Sequence, residues 1–90
     1  MALEDSSQPR LATGCRWAGD GEKGTILFPE GALRLQETAR AILQLCDGER
    51  TLLQIVQELE AAYSGSEPGK IRKDTVAFLE HLWQRRVVDF

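Results

Sequence analysis

Ile26-Leu27-Phe28-Pro29-Glu30-Gly31-Ala32-Leu33-Arg34-Leu35 is the stretch that decides the fold. Two short apolar runs flank a tripeptide in which Pro29 presets one turn dihedral and Gly31 is free to take a positive φ, so a β-hairpin is predicted. In its second strand Leu33 and Leu35 point one way and Arg34 the other, the alternation of a strand buried on one face. Upstream, Gly14, Gly19, Gly21 and Gly24 separate further short apolar stretches. Three antiparallel strands are therefore expected, over residues 15–18, 25–28 and 32–35, with a loop over 19–24 between the first two.

From Gln36 the apolar period lengthens from two to about three and a half. Ala39, Ile42, Leu43 and Cys46 form one stripe, and Asp47-Gly48 supplies a stop in which glycine suits the left-handed C-terminal position. Thr51-Leu52-Leu53-Gln54 fits a capping box and opens a second helix, whose apolar positions are Leu52, Ile55, Val56, Leu59, Ala62 and Tyr63. Beyond Ser64-Gly65-Ser66-Glu67-Pro68-Gly69, expected as a flexible connection, a third helix over 71–85 carries two adjoining stripes. These are Val76, Leu79, Trp83 and Thr75, Phe78, Leu82. So wide an arc leaves room for a partner, although a fully buried core helix accounts for it equally. Val87-Val88-Asp89-Phe90 is expected either to add a short strand or to pack its valines on the core. The fold class is thus α+β, a winged helix-turn-helix-like arrangement of a three-stranded antiparallel sheet followed by three helices.

Ninety residues, 42% hydrophobic and 28% charged, suit one folded domain. Residues 1–8 are polar and unpatterned and are expected as a disordered tail, with a single domain over 9–90. No apolar run approaches the roughly 20 residues of a membrane span, which argues against a membrane partner. The acidic N-terminus has no secretory signal pattern, so a cytoplasmic location is expected, with Cys15 and Cys46 reduced. Together with His81 they lack the short ligand spacings of metal sites, so neither metal nor cofactor is expected. The net charge of −3 is unevenly spread. Residues 49–67 hold four acids against Arg50, whereas Lys70, Arg72, Lys73, Arg85 and Arg86 outnumber Asp74 and Glu80.

No catalytic constellation assembles. Asp74 and Glu80 are six apart and do not share a helix face. Gly19, Gly21 and Gly24 lie between strands rather than before a helix, so they do not make a phosphate loop. Trp17, Trp83 and Tyr63, taken singly, are ordinary core residues. What remains is binding: the last strand of a meander presents unpaired N–H and C=O groups, which a protein either blunts or uses to capture an extended peptide. Two other readings compete. A winged-helix DNA-binding protein is opposed by the acidic second helix, and nucleic acid is not expected as a partner. A homodimer through edge pairing or swapping is compatible with the open edge and the glycine-containing linker.

The segment 26–35, together with Cys46-Asp47-Gly48-Glu49-Arg50-Thr51 and the spacing of Ile55, Leu59, Tyr63, Asp74, Val76, Phe78, Leu79 and Leu82, resembles the PqqD family of pyrroloquinoline quinone (PQQ) biosynthesis. The likeness spans about residues 9 to 88. It implies a non-catalytic, winged-helix-like recognition element of ribosomally made, modified peptides. Such an element is a peptide chaperone that binds the precursor peptide PqqA by β-strand addition and presents it to the radical S-adenosylmethionine enzyme PqqE. Carried onto this chain, the edge is Ala32, Leu33, Arg34 and Leu35, and the facing helix contributes Asp74, Thr75, Phe78, Leu79 and Leu82. Arg72, Lys73 and Arg34 are expected near acidic peptide residues. Leu33→Pro is expected to remove an edge donor. Gln36 stands where the family often has asparagine, so the first helix is expected to start there or a residue later.

Overall fold

The computed structural model describes residues 3–19, 24–63, 65, 67 and 69–90. Its elements run β1 (Arg10–Leu11), β2 (Arg16–Trp17), β3 (Thr25–Phe28), β4 (Gly31–Arg34), α1 (Glu37–Gln44), α2 (Leu52–Ala62), α3 (Lys70–Gln84) and β5 (Val88–Asp89). The predicted hairpin forms with Ile26 opposite Leu33 and Phe28 opposite Gly31, and β2 adds antiparallel to β3. The sheet order is therefore β2-β3-β4. Gly31 takes a φ of 153°, a conformation that favours glycine, and so belongs to the strand as well as to the turn.

The core lies between this sheet and the helices. Ile26 is fully buried, with Ile42 and Leu43 from α1, Ile55, Val56 and Leu59 from α2, and Leu79 and Leu82 from α3. α1 begins after Gln36, whose side chain makes no capping bond, and ends before Cys46. α2 opens on the predicted capping box: the Thr51 hydroxyl accepts from the Gln54 N–H at 3.2 Å, and the Gln54 side chain accepts from the Thr51 N–H at 2.9 Å. α3 ends in a turn where Arg86 adopts φ 63° and the Val87 N–H donates to the Leu82 carbonyl. This closure buries Val87 against the core and sends the chain into β5. Both outcomes foreseen for residues 87–90 occur together, because one valine faces the core and the next residue pairs.

Two features depart from expectation. A second sheet pairs β1 with β5, setting Arg10 against Asp89 and Leu11 against Val88. Residues 3–8, expected as part of a disordered tail, are docked instead. Leu3 is buried in the core, the Ser7 and Asp5 carbonyls accept from the Leu52 and Leu53 N–H groups, and Gln8 donates to the Glu49 carbonyl. The physical reason is that the first turn of α2 offers donors that need acceptors. Main-chain carbonyls can supply them whatever the side chains, so no sequence pattern announces it. Residues 1 and 2, the loop positions 20–23, and positions 64, 66 and 68 of the expected flexible connection lie outside the described residues. Among the described residues no helix is long and apolar enough to cross a membrane, and no cluster of three or more potential metal ligands forms.

Candidate peptide-binding edge and cleft

β4 is an edge strand, and the hydrogen-bond parity of the hairpin decides which of its groups face outward. The Leu35 N–H donates to the Gly24 carbonyl at 2.7 Å, and the Ala18 N–H donates to the Thr25 carbonyl at 2.9 Å. Hydrogen-bonded and non-bonded pairs alternate along an antiparallel ladder. Gly24 with Leu35, Ile26 with Leu33 and Phe28 with Gly31 are thus the bonded pairs, while Ala32 and Arg34 sit in non-bonded pairs. It is consequently Ala32 and Arg34 whose N–H and C=O groups point to the free edge. Leu33 spends its own on Ile26. The expectation that Leu33→Pro removes an edge donor is therefore corrected: it would break an inner bond. Ala32 and Arg34 are exposed, Leu33 is half-buried and Leu35 is buried.

Leu35 and Gln36 lead from this edge directly into α1, and the first turn of α1 faces α3 across a cleft of about 240 Å³. α1 contributes Thr38 and Ile42, the end of α2 contributes Leu59 and Tyr63, and the start of α3 contributes Lys70, Ile71, Asp74 and Thr75. The floor is apolar, and Lys70 and Asp74 bring opposite charges to exposed positions at its side.

The residues expected on α3 separate into three groups. Thr75, Leu79 and Leu82 are buried, so they support the site from within the core, with Thr75 alone reaching the cleft. Asp74 lines the cleft, and half-buried Phe78, one turn on, lies on the same side of the helix. Arg72 and Lys73 do not join them. At 3.6 residues per turn Arg72 falls on the opposite shoulder of α3, where its guanidinium pairs with the Asp5 carboxylate. Lys73 shares a shallow depression with Arg72 and Val76 on that side. Sequence reasoning singled out neither Thr38 nor Ile71, and it assigned Tyr63 to the core. A threonine in a helix's first turn and a tyrosine at a helix's end are weak signals until the three helix ends converge.

Among the described residues the titratable groups add no catalytic arrangement. Burial pushes the Cys46 thiol up to about 12, with the neighbouring Asp47 charge acting in the same direction. Burial also raises Cys15, whose thiol donates to the Arg86 carbonyl at 3.6 Å. Both sulfurs are therefore held as neutral thiols rather than as nucleophilic thiolates. Asp47 is held below the usual carboxylate range, chiefly because it accepts the Arg50 and Glu49 N–H groups at 2.9 Å each. Those bonds order the turn between α1 and α2.

Residues 24–88 match the family model described as coenzyme PQQ synthesis protein D (PqqD). A protein of Methylococcus capsulatus named PqqA binding protein is 40% identical over 77 residues, covering 83% of this chain and 82% of that one. A bifunctional coenzyme PQQ synthesis protein C/D of Methylorubrum extorquens is 37% identical over 90 residues, covering 98% of this chain but 24% of its own length. The solution NMR structure of the PqqD truncation of Methylobacterium extorquens PqqCD superposes with a TM-score of 0.75 at 35% identity, over 99% of this chain and 96% of that one. That structure is described as a functional, stand-alone recognition element of ribosomally synthesized and post-translationally modified peptides. With the same hairpin-then-helices order, and the family model covering most of its length, this chain belongs to the PqqD family.

Proposed function

We propose that this chain is a non-catalytic, cytoplasmic PqqA-binding component of PQQ biosynthesis that takes the precursor peptide as an added strand and offers it to the radical enzyme PqqE. One observation carries this reading: the outward N–H and C=O groups of Ala32 and Arg34 lie on an edge that continues, through Leu35 and Gln36, into an apolar cleft walled by three helices. An extended peptide along β4 would gain main-chain bonds that tolerate sequence variation, while the cleft would select an apolar side chain. Arg34 on the edge and Lys70 beside the cleft would meet acidic peptide residues. Because Arg72 is engaged with Asp5, the cation choice falls on these two rather than on Arg72. PqqA-binding relatives and the recognition-element neighbour support the assignment.

Calorimetric titration of a synthetic PqqA peptide tests it, with isotope-labelled protein to locate the contact. The expected affinity is micromolar or tighter, roughly −8 kcal/mol after the ordering of a flexible peptide has been met. Amide shifts should concentrate at 31–35 and around Thr38, Ile71 and Asp74. Absence of heat, or shifts confined to the exposed face of α2, would remove this reading. Adding PqqE to the complex should then give a slower-sedimenting free fraction and a faster ternary one, with no ternary species if presentation is wrong.

A further inference from the structure

Behind the cleft, the chain's own N-terminal segment bridges α2 and α3, two of the three helices that wall it. Asp5 is the hinge of this arrangement. Its main-chain carbonyl accepts from the Leu53 N–H at the start of α2, and its carboxylate pairs with Arg72 in the first turn of α3. Ser7 holds the segment in a turn, its hydroxyl accepting from the Glu4 N–H at 3.0 Å and its own N–H donating to the Glu4 carbonyl. Leu3, only 8% exposed, anchors the end in the core.

We propose that residues 3–8 form a strap that fixes α2 against α3, and so sets the width of the peptide cleft on the far shoulder of α3. Asp5 and Arg72 are then positioning residues for peptide binding and touch no part of the peptide. The argument rests on the function proposed above and on placement. Lys70, Ile71 and Asp74 of the cleft wall alternate along one helical turn with Arg72, so a displacement of Arg72 moves the wall with it. The Asp5–Arg72 pair is partly exposed, which makes its own contribution to stability small but leaves its geometric effect on the wall intact.

The experiment is a titration of synthetic PqqA into wild type, Asp5→Ala, Arg72→Ala, the double variant, and the exchanged pair Asp5→Arg with Arg72→Asp. Amide exchange is measured on each protein without peptide. A strap predicts that each single substitution weakens binding about threefold, that the double variant is no worse than either, and that the exchanged pair recovers most of the loss. It also predicts faster exchange at Leu53 and through the first turn of α3 in Asp5→Ala. If Arg72 instead contacts the peptide, Asp5→Ala tightens binding by releasing it and Arg72→Ala weakens it, which overturns the strap. Affinities and exchange unchanged across the series overturn it too. If wild type binds no PqqA, the proposed function falls, and unliganded exchange alone decides the strap: faster exchange at both sites in Asp5→Ala sustains it, and unchanged exchange refutes it.

Discussion

The first turn of α2 and the free margin of β4 both expose main-chain donors, yet the chain closes one and leaves the other open. At α2, all four otherwise unpaired N–H groups find acceptors: Thr51 in the Gln54 side chain, Leu52 in Ser7, Leu53 in Asp5, and Gln54 in the Thr51 hydroxyl. Those acceptors come from a capping box and from a segment more than forty residues away in sequence. At β4, Ala32 and Arg34 keep their outward groups without a strand beside them among the described residues. The difference teaches where function sits. Where the molecule needs only stability it completes its hydrogen bonding, and where it is proposed to bind it withholds completion for a visiting chain.

Substitutions can break or sharpen this contrast. The largest effect is expected from Leu33→Pro, which strips the inner ladder and leaves the Ile26 carbonyl unpaired. Chemical denaturation should show a loss of about 1–3 kcal/mol. Ala32→Pro, one residue away, should behave oppositely, leaving the unfolding midpoint nearly unchanged while PqqA affinity falls at least about tenfold, or roughly 1.4 kcal/mol. Equal behaviour of the two variants would mean the edge parity is misassigned. At the closed site, Thr51→Ala should cost about 1 kcal/mol of stability with PqqA affinity retained. If affinity falls in step with stability, the two regions are not separable.

Smaller effects probe the supports. Arg86 holds a left-handed conformation that strains any side chain, so Arg86→Gly should raise stability by up to about 1 kcal/mol, read as a higher thermal midpoint. Asp47 has a folded-state pKa depressed by the Arg50 and Glu49 N–H groups, so its contribution is present above its unfolded value of about 3.9 and fades as pH falls through the folded one. Asp47→Asn should accordingly lower the thermal midpoint at neutral pH and flatten its decline on the acid side, so that the two proteins converge at low pH.

The hairpin and the capping box were legible because each is encoded within a few residues: Pro29 and Gly31 for the turn, Thr51 and Gln54 for the cap. The edge segment was legible for the same reason, once the alternation of Leu33, Arg34 and Leu35 was seen. Parity was not, since which of two neighbours points outward depends on how the ladder is phased against Gly24 and Thr25. The cleft was only half legible. Asp74 and Phe78 follow from helical spacing, whereas Arg72 and Lys73 drew attention by charge and turned out to share a different shoulder. The strap and the β1–β5 pair escaped because both are made by main-chain partners from opposite ends of the chain. Short polar sequence carries no period by which such pairing could be anticipated.

That terminal pairing also orders events in time. Arg10 meets Asp89 and Leu11 meets Val88, so almost the entire polypeptide lies inside the loop these contacts bring together. Loop-closure entropy grows with the logarithm of the enclosed length, whereas β3 and β4 need close only a tight turn. The hairpin can therefore assemble early and the terminal seam late, and on fraying the seam should part first. A partly opened molecule would then still carry its peptide-accepting strand, with the seam amides at Ala12 and Asp89 exchanging well before those at Ile26 and Leu33.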